Sequence, residues 1–153
     1  MESKLLEFYT MSKSKMIEFL TTLSIAELTD LMNDATSCYK TVEDLSVAYD
    51  AFEQLEKKRN TPFIRIWWLI KKTAKKAWED ACNAAESEIN KKERAIMNSY
   101  IWQLLDIEKD QIMAKYTSVK KEHMVVRRSA AIYLKLNIKE KVLPLLIAEA
   151  KSR

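Results

Sequence analysis

Side chains able to act as nucleophiles or metal ligands are scarce in this sequence. It contains one histidine, His123, and two cysteines, Cys38 and Cys82, which stand far apart. Metal sites built from cysteine and histidine need several such residues at short spacings. We therefore expect no metal site, no cofactor and no catalytic role for His123, with both cysteines as free thiols. A single Cys38–Cys82 disulfide is the alternative.

One row of acidic side chains could bind a cation or provide general acid–base catalysis. Glu27, Asp30 and Asp34 are spaced i, i+3 and i+7 and therefore share one face of a helix. The same spacing describes the solvated side of an amphipathic helix whose other side carries Leu28 and Leu31. We favour this second interpretation and assign the row no catalytic residue.

The absence of glycine removes further classes of chemistry. With Gly 0 in the composition, the chain has no glycine-rich phosphate loop, dinucleotide fingerprint or nucleophile elbow of the usual form. We therefore expect a protein that is not an enzyme.

The most specific feature is a tryptophan among basic residues in segment 63–78. If the segment is one helix, an apolar stripe that includes Trp67, Ile70 and Trp78 predicts a core-facing side. Trp68 falls on the opposite side among cations. This side predicts a partner-binding face composed of Arg65, Trp68, Lys71, Lys72, Lys75 and Lys76. Alternatively, Trp68 packs under a second helix while the lysines extend around it into solvent.

A second basic helix face is predicted in segment 119–136. Its members are Lys120, Lys121, Arg127, Arg128 and Lys135. If both faces point in the same direction, they form a patch that attracts nucleic acid or an acidic protein. Segment 24–56 has eight acids and one base, whereas segment 57–76 has eight bases and no acid. The acidic block either neutralises the basic faces internally or faces outward.

These residues must be positioned by helices, because a chain with no glycine and two prolines lacks the usual turn formers. We predict an all-α fold, a compact bundle of six or seven helices forming a single domain over 1–153. The first helix is expected at 3–23, and the capping box Ser24–Glu27 begins the second. Thr41 with Asp44 is expected to begin a third. Thr61-Pro62 predicts a helix start. That helix is expected to run to about Ile89, with a break near Asn90, or alternatively to continue to Tyr116.

The final part of the chain is predicted to hold a helix ending near residue 136 and a short helix with Pro144 either in its first turn or at a kink. Asn137 lies between them, where a turn would create a helix-turn-helix motif, although the surrounding residues match that motif poorly.

The function that these features favour is binding of a macromolecular partner by an adaptor, inhibitor or regulator. A protein partner is our first expectation, and nucleic acid bound by the same basic faces is the alternative. No apolar run is long enough to span a bilayer, and we expect no membrane partner. Membrane-surface binding by a basic amphipathic helix around Trp67-Trp68 is a further alternative. We expect a cytoplasmic location, since no secretory leader is seen, and the composition suits a phage- or virus-encoded modulator. The oligomeric state is left open.

Overall fold

The computed structural model describes residues 2–115 and 123–153, with side chains over 6–115 and 124–153. All regular elements in these residues are helical, which confirms the all-α prediction. The α-helices are α1 (Glu2–Thr10), α2 (Lys13–Thr21), α3 (Ile25–Arg59), α4 (Pro62–Ile70), α5 (Lys72–Ile96), α6 (Tyr100–Lys115), α7 (His123–Asn137) and α8 (Leu143–Ser152). A π-helical segment, Ile138–Val142, joins α7 to α8 without a turn.

The predicted helix at 3–23 is divided into α1 and α2. Ser12 adopts an extended conformation (φ −67°, ψ 159°), and its hydroxyl accepts a 3.5 Å hydrogen bond from the Lys15 backbone N–H. A serine in this position caps a new helix start. The prediction of one continuous helix was therefore wrong.

The capping box predicted at Ser24 is present and begins α3. The Glu27 backbone N–H donates to the Ser24 hydroxyl at 3.2 Å, and the Ser24 backbone N–H donates to Glu27 Oε1 at 3.4 Å. The helix then runs without interruption for 35 residues. The start predicted at Thr41 was wrong because its hydroxyl donates backward to the Ser37 carbonyl at 3.0 Å, inside the helix.

Pro62 begins α4 as Thr61-Pro62 predicted, although the Thr61 side chain makes no cap hydrogen bond. The helix ends at Ile70, because Lys71 has an extended backbone (φ −116°, ψ 92°). Helix α5 then runs straight through Asn90, so the break predicted there was wrong. The chain instead leaves the helix at residues 97–99.

The last helices form one continuous rod. Asn137 is helical (φ −60°, ψ −46°), so the turn required by a helix-turn-helix motif does not form. The Leu143 backbone N–H bonds to the Ile138 carbonyl, five residues earlier, as in a π-helix. Pro144 lies in the first turn of α8, which was one of the two positions expected for it.

The hydrophobic core is built mainly by α1, α2, α3, α6, α7 and α8. Helix α4 contributes no buried residue. Trp67 and Ile70, which were predicted in the core, are 42% and 72% exposed. Trp78 is half-buried and lies outside the core cluster. Over the described ranges, no helix combines the length and apolarity needed to cross a bilayer.

Candidate functional site

The bend at Lys71 reverses the orientation that the sequence predicted for α4. The prediction treated 63–78 as one helix, which placed Trp67 and Trp78 on the same side. One extended residue allows α4 to fold back, so that Trp68 turns toward α5. The Trp68 and Trp78 rings then pack with centroids 4.7 Å apart and a 40° angle between their planes. Trp68 therefore packs against a second helix, as the alternative interpretation of the sequence predicted.

Polar contacts hold this corner of the molecule in place. Trp78 Nε1 donates to the Leu55 carbonyl at 2.7 Å, which attaches α5 to the end of α3. The Arg59 guanidinium lies 5.4 Å from the Trp78 ring centroid, within cation–π range. Arg65 Nε donates to the Arg59 carbonyl at 2.8 Å. These contacts join the end of α3, α4 and the beginning of α5, and we call this region the α4–α5 corner.

An open groove of about 940 Å³ lies in the α4–α5 corner. We call it the basic groove, and it is lined by Arg59, Arg65, Trp68, Leu69, Lys72, Lys75, Lys76, Trp78, Glu79, Asp80 and Asn83. Five of the six residues predicted for the first basic face meet here. The exception is Lys71, whose Nζ lies 4.9 Å from the Trp67 ring centroid.

The electrostatics of the basic groove favour an anionic ligand, because five cations face two carboxylates. Lys72, Lys75 and Lys76 are exposed, and no carboxylate among the described residues lies within ion-pair distance of them. Arg59, in contrast, lies 3.8 Å from Glu56. The three lysines are therefore the cations best placed to meet a partner.

Sequence reasoning missed Arg59 and Trp78 as lining residues, because it treated 63–78 as one helix and did not include the end of α3. Arg59 and Trp78 belong to α3 and α5, and only the bend at Lys71 brings them to Trp68. One available signal was the position of Arg59 just before the Thr61-Pro62 helix start.

The second basic face does not form as predicted, because Arg127 points into the protein. Its side chain is 7% exposed, and Nη1 lies 2.8 Å from Asp106 Oδ1 on α6. The guanidinium lies 3.9 Å from the Trp102 ring centroid. Arg127 therefore joins α7 to α6, and its assignment to a partner-binding surface was wrong.

Arg128 is also committed to contacts within the molecule. Its guanidinium lies 3.3 Å from Asp50 and 2.5 Å from Glu53, both on α3. The acidic block thus neutralises part of α7 and leaves the three groove lysines unneutralised. Lys135 is half-buried. Lys120, Lys121 and the side chain of His123 lie outside the described residues.

Buried polar side chains around Cys38 have structural contacts. Both cysteines are buried and free, so the alternative disulfide is absent. Burial, with a smaller contribution from Asp34, raises the pKa of the Cys38 thiol to about 12. Asp34 accepts a hydrogen bond from the Tyr100 hydroxyl. The acidic side chains at 27, 30 and 34 do not form one site, because Glu27 serves in the helix cap and Asp34 holds Tyr100.

Within the ranges that the structure describes, no cluster of His, Cys, Asp and Glu is suited to hold a metal ion.

Comparison with protein-family models, with curated proteins and with solved structures gives no match to this chain.

Proposed function

We propose that this chain is a non-enzymatic, cytoplasmic binding protein that engages an acidic protein partner through the basic groove. An adaptor, inhibitor or regulator would act in this way. The observation that carries the proposal is the convergence of Lys72, Lys75 and Lys76 beside the packed Trp68–Trp78 pair. The backbone of α5 fixes the spacing of these lysines before binding, which lowers the entropic cost of bringing them together.

The contacts of the two tryptophans favour protein over nucleic acid. Proteins that bind single strands present aromatic faces on which bases stack. In the basic groove, Trp68 and Trp78 pack against one another, and Arg59 lies over the Trp78 ring. Glu79 and Asp80 also line the groove and would repel a phosphate backbone, whereas a protein can offer donors to them.

Nucleic acid is the second candidate, because five cations line a single groove. Phosphate binding would release counterions, and affinity would fall steeply with salt concentration. A protein interface anchored by packed apolar contacts loses less affinity under the same change.

A charge-reversal experiment tests the proposal. The variant Lys72→Glu, Lys75→Glu, Lys76→Glu should lose the partner in pull-downs from lysate of the native cells, because the rim charges that guide association are inverted. The matched control is Lys13→Glu, Lys15→Glu, Lys151→Glu, which makes the same charge change at exposed positions outside the groove. Both variants should keep the helical circular dichroism of the parent protein.

Nuclease treatment of the lysate distinguishes the two candidates. A partner retained after nuclease, by the parent and the control but not by the groove variant, supports the proposal. Capture that disappears with nuclease supports the nucleic-acid candidate instead. If the groove variant and the control retain the same partner equally, the basic groove is not the binding site.

A further inference from the structure

A large apolar surface lies on the outer side of α4. Its members, with their exposed fractions, are Phe63 (75%), Ile66 (58%), Trp67 (42%), Leu69 (81%) and Ile70 (72%). We call this surface the apolar face of α4. Together these side chains expose roughly 600 Å², at the upper limit for the largest apolar patch on a typical monomer. Apolar patches of this size on a monomer are often functional.

We propose that the apolar face of α4 lies in the interfacial layer of an anionic membrane. At 100° per residue the five side chains occupy a continuous arc of about 160° with no polar residue inside it. Helices that lie in the membrane interface have such an arc, with tryptophan, phenylalanine and leucine facing the lipid and basic residues at the edges. Membrane-surface contact of this kind requires no spanning helix.

The positive charge around α4 favours an anionic membrane as the surface that covers the apolar face. Segment 57–76 contains eight bases and no acid, and two of these bases, Lys57 and Arg59, pair with carboxylates of α3. Lys71 lies beside the exposed Trp67 at one end of the apolar face, and Arg65 borders it at the groove side. Anionic lipid headgroups complement these charges. A second copy of the chain would bring the same positive charge to the contact, which disfavours a symmetric pair of α4 helices.

The prediction of one helix over 63–78 placed Trp67 and Ile70 in the core. The structure places them on the surface, where α4 packs on α3 and α5 through its other side. Insertion of the apolar face therefore requires no opening of the fold. Leu69 belongs both to this face and to the edge of the basic groove, so a membrane-bound molecule would hold the groove close to the headgroups.

Vesicle co-sedimentation tests the proposal. The purified full chain is mixed with vesicles of phosphatidylcholine alone, or of phosphatidylcholine with about one-third phosphatidylserine, at an ionic strength of about 0.1 M. We expect binding to the anionic vesicles and at least about tenfold weaker binding to the neutral ones, since each nearby lysine or arginine contributes about fivefold. The triple variant Phe63→Ser, Leu69→Ser, Ile70→Ser should lower binding more than about tenfold.

A matched control removes exposed apolar side chains elsewhere. Ile17→Ser, Val47→Ser, Ile147→Ser changes residues that are exposed and distant in sequence from α4, and it should bind anionic vesicles like the parent protein. The proposal is overturned if the parent fails to sediment with anionic vesicles, or if the two triple variants bind equally. It is also overturned if light scattering shows a stable dimer that only the α4 variant disrupts, because a second copy would then cover the face. None of these outcomes depends on whether the basic groove has a protein partner.

Discussion

Replacement of the two neighbouring tryptophans by alanine should affect stability in the opposite order to that expected from an uninterrupted helix. Truncating a fully buried tryptophan costs about 3–5 kcal/mol. Trp68 is half-buried, which gives about 2 kcal/mol, and its packing against Trp78 adds about 0.5–1.5 kcal/mol. Trp67 is 42% exposed and, among the described residues, has no aromatic partner, with Lys71 beside its ring, so its loss should cost about 1 kcal/mol.

Urea denaturation followed by helical circular dichroism measures this difference without relying on tryptophan fluorescence. Trp68→Ala should unfold with a free energy about 2 kcal/mol lower than that of Trp67→Ala. In thermal unfolding the two should differ by about 4–8 °C for a chain of this size. The double variant Trp68→Ala, Trp78→Ala should cost less than the sum of the single variants by about 0.5–1.5 kcal/mol.

The opposite order would show that the bend at Lys71 does not decide which of the two tryptophans is packed inside. If Trp67→Ala destabilised the protein as much as Trp68→Ala, Trp67 would have to be covered at least as fully as Trp68. Segment 63–78 would then form one helix. Trp68 would no longer pack on Trp78, and the basic groove would not form.

Three other predictions concern buried polar side chains. Arg127→Ala should lower the free energy of unfolding by about 1–2 kcal/mol, because it removes a buried guanidinium that packs on the Trp102 ring and lies 2.8 Å from Asp106; a change below about 0.5 kcal/mol in urea would contradict this. Cys38 should resist iodoacetamide at pH 8 in the folded protein, since burial raises its pKa to about 12, and rapid labelling seen by mass spectrometry would contradict it. Stability should fall as the pH rises above about 9, because burial raises the pKa of Cys38, Tyr9, Tyr49 and Tyr100 in the folded state. Urea midpoints measured from pH 8 to pH 11 check this, and a constant midpoint would disprove it.

Local signals in the sequence predicted those helix starts that depend on neighbouring residues alone. The Ser24–Glu27 capping box and Pro62 act within one turn, and both are helix starts in the structure. Ser12 carries the same kind of signal and was overlooked. Thr41 shows the limit of such signals, because a threonine inside a helix can satisfy its hydroxyl on the preceding turn.

The features that the sequence could not predict depend on contacts between helices. Lysine is a good helix former, so its presence at position 71 does not indicate a helix break, and the extended backbone there was not expected. Without that break, the helical spacing assigned Trp67 to the core. Arg127 was placed on a polar face for a related reason, because its partner Asp106 belongs to a different helix. Spacing within one helix describes which residues share a side, but not what covers that side.

The π-helical segment at Ile138–Val142 determines the rotation of everything that follows it. Leu134, Ile138, Val142 and Leu146 are spaced four residues apart and are all buried, whereas a regular α-helix would turn each successive member about 40° away from the previous one. The wider π turn compensates for this drift. The π turn is equivalent to an α-helical turn with one inserted residue. Removal of one residue from this segment would therefore rotate α8 by about 100°. Leu146 would then leave the core, and the Arg153 guanidinium would lose the Leu20 carbonyl, which it contacts at 2.9 Å. The docking of α8 on the end of α2 therefore depends on chain length in this segment as well as on side-chain identity.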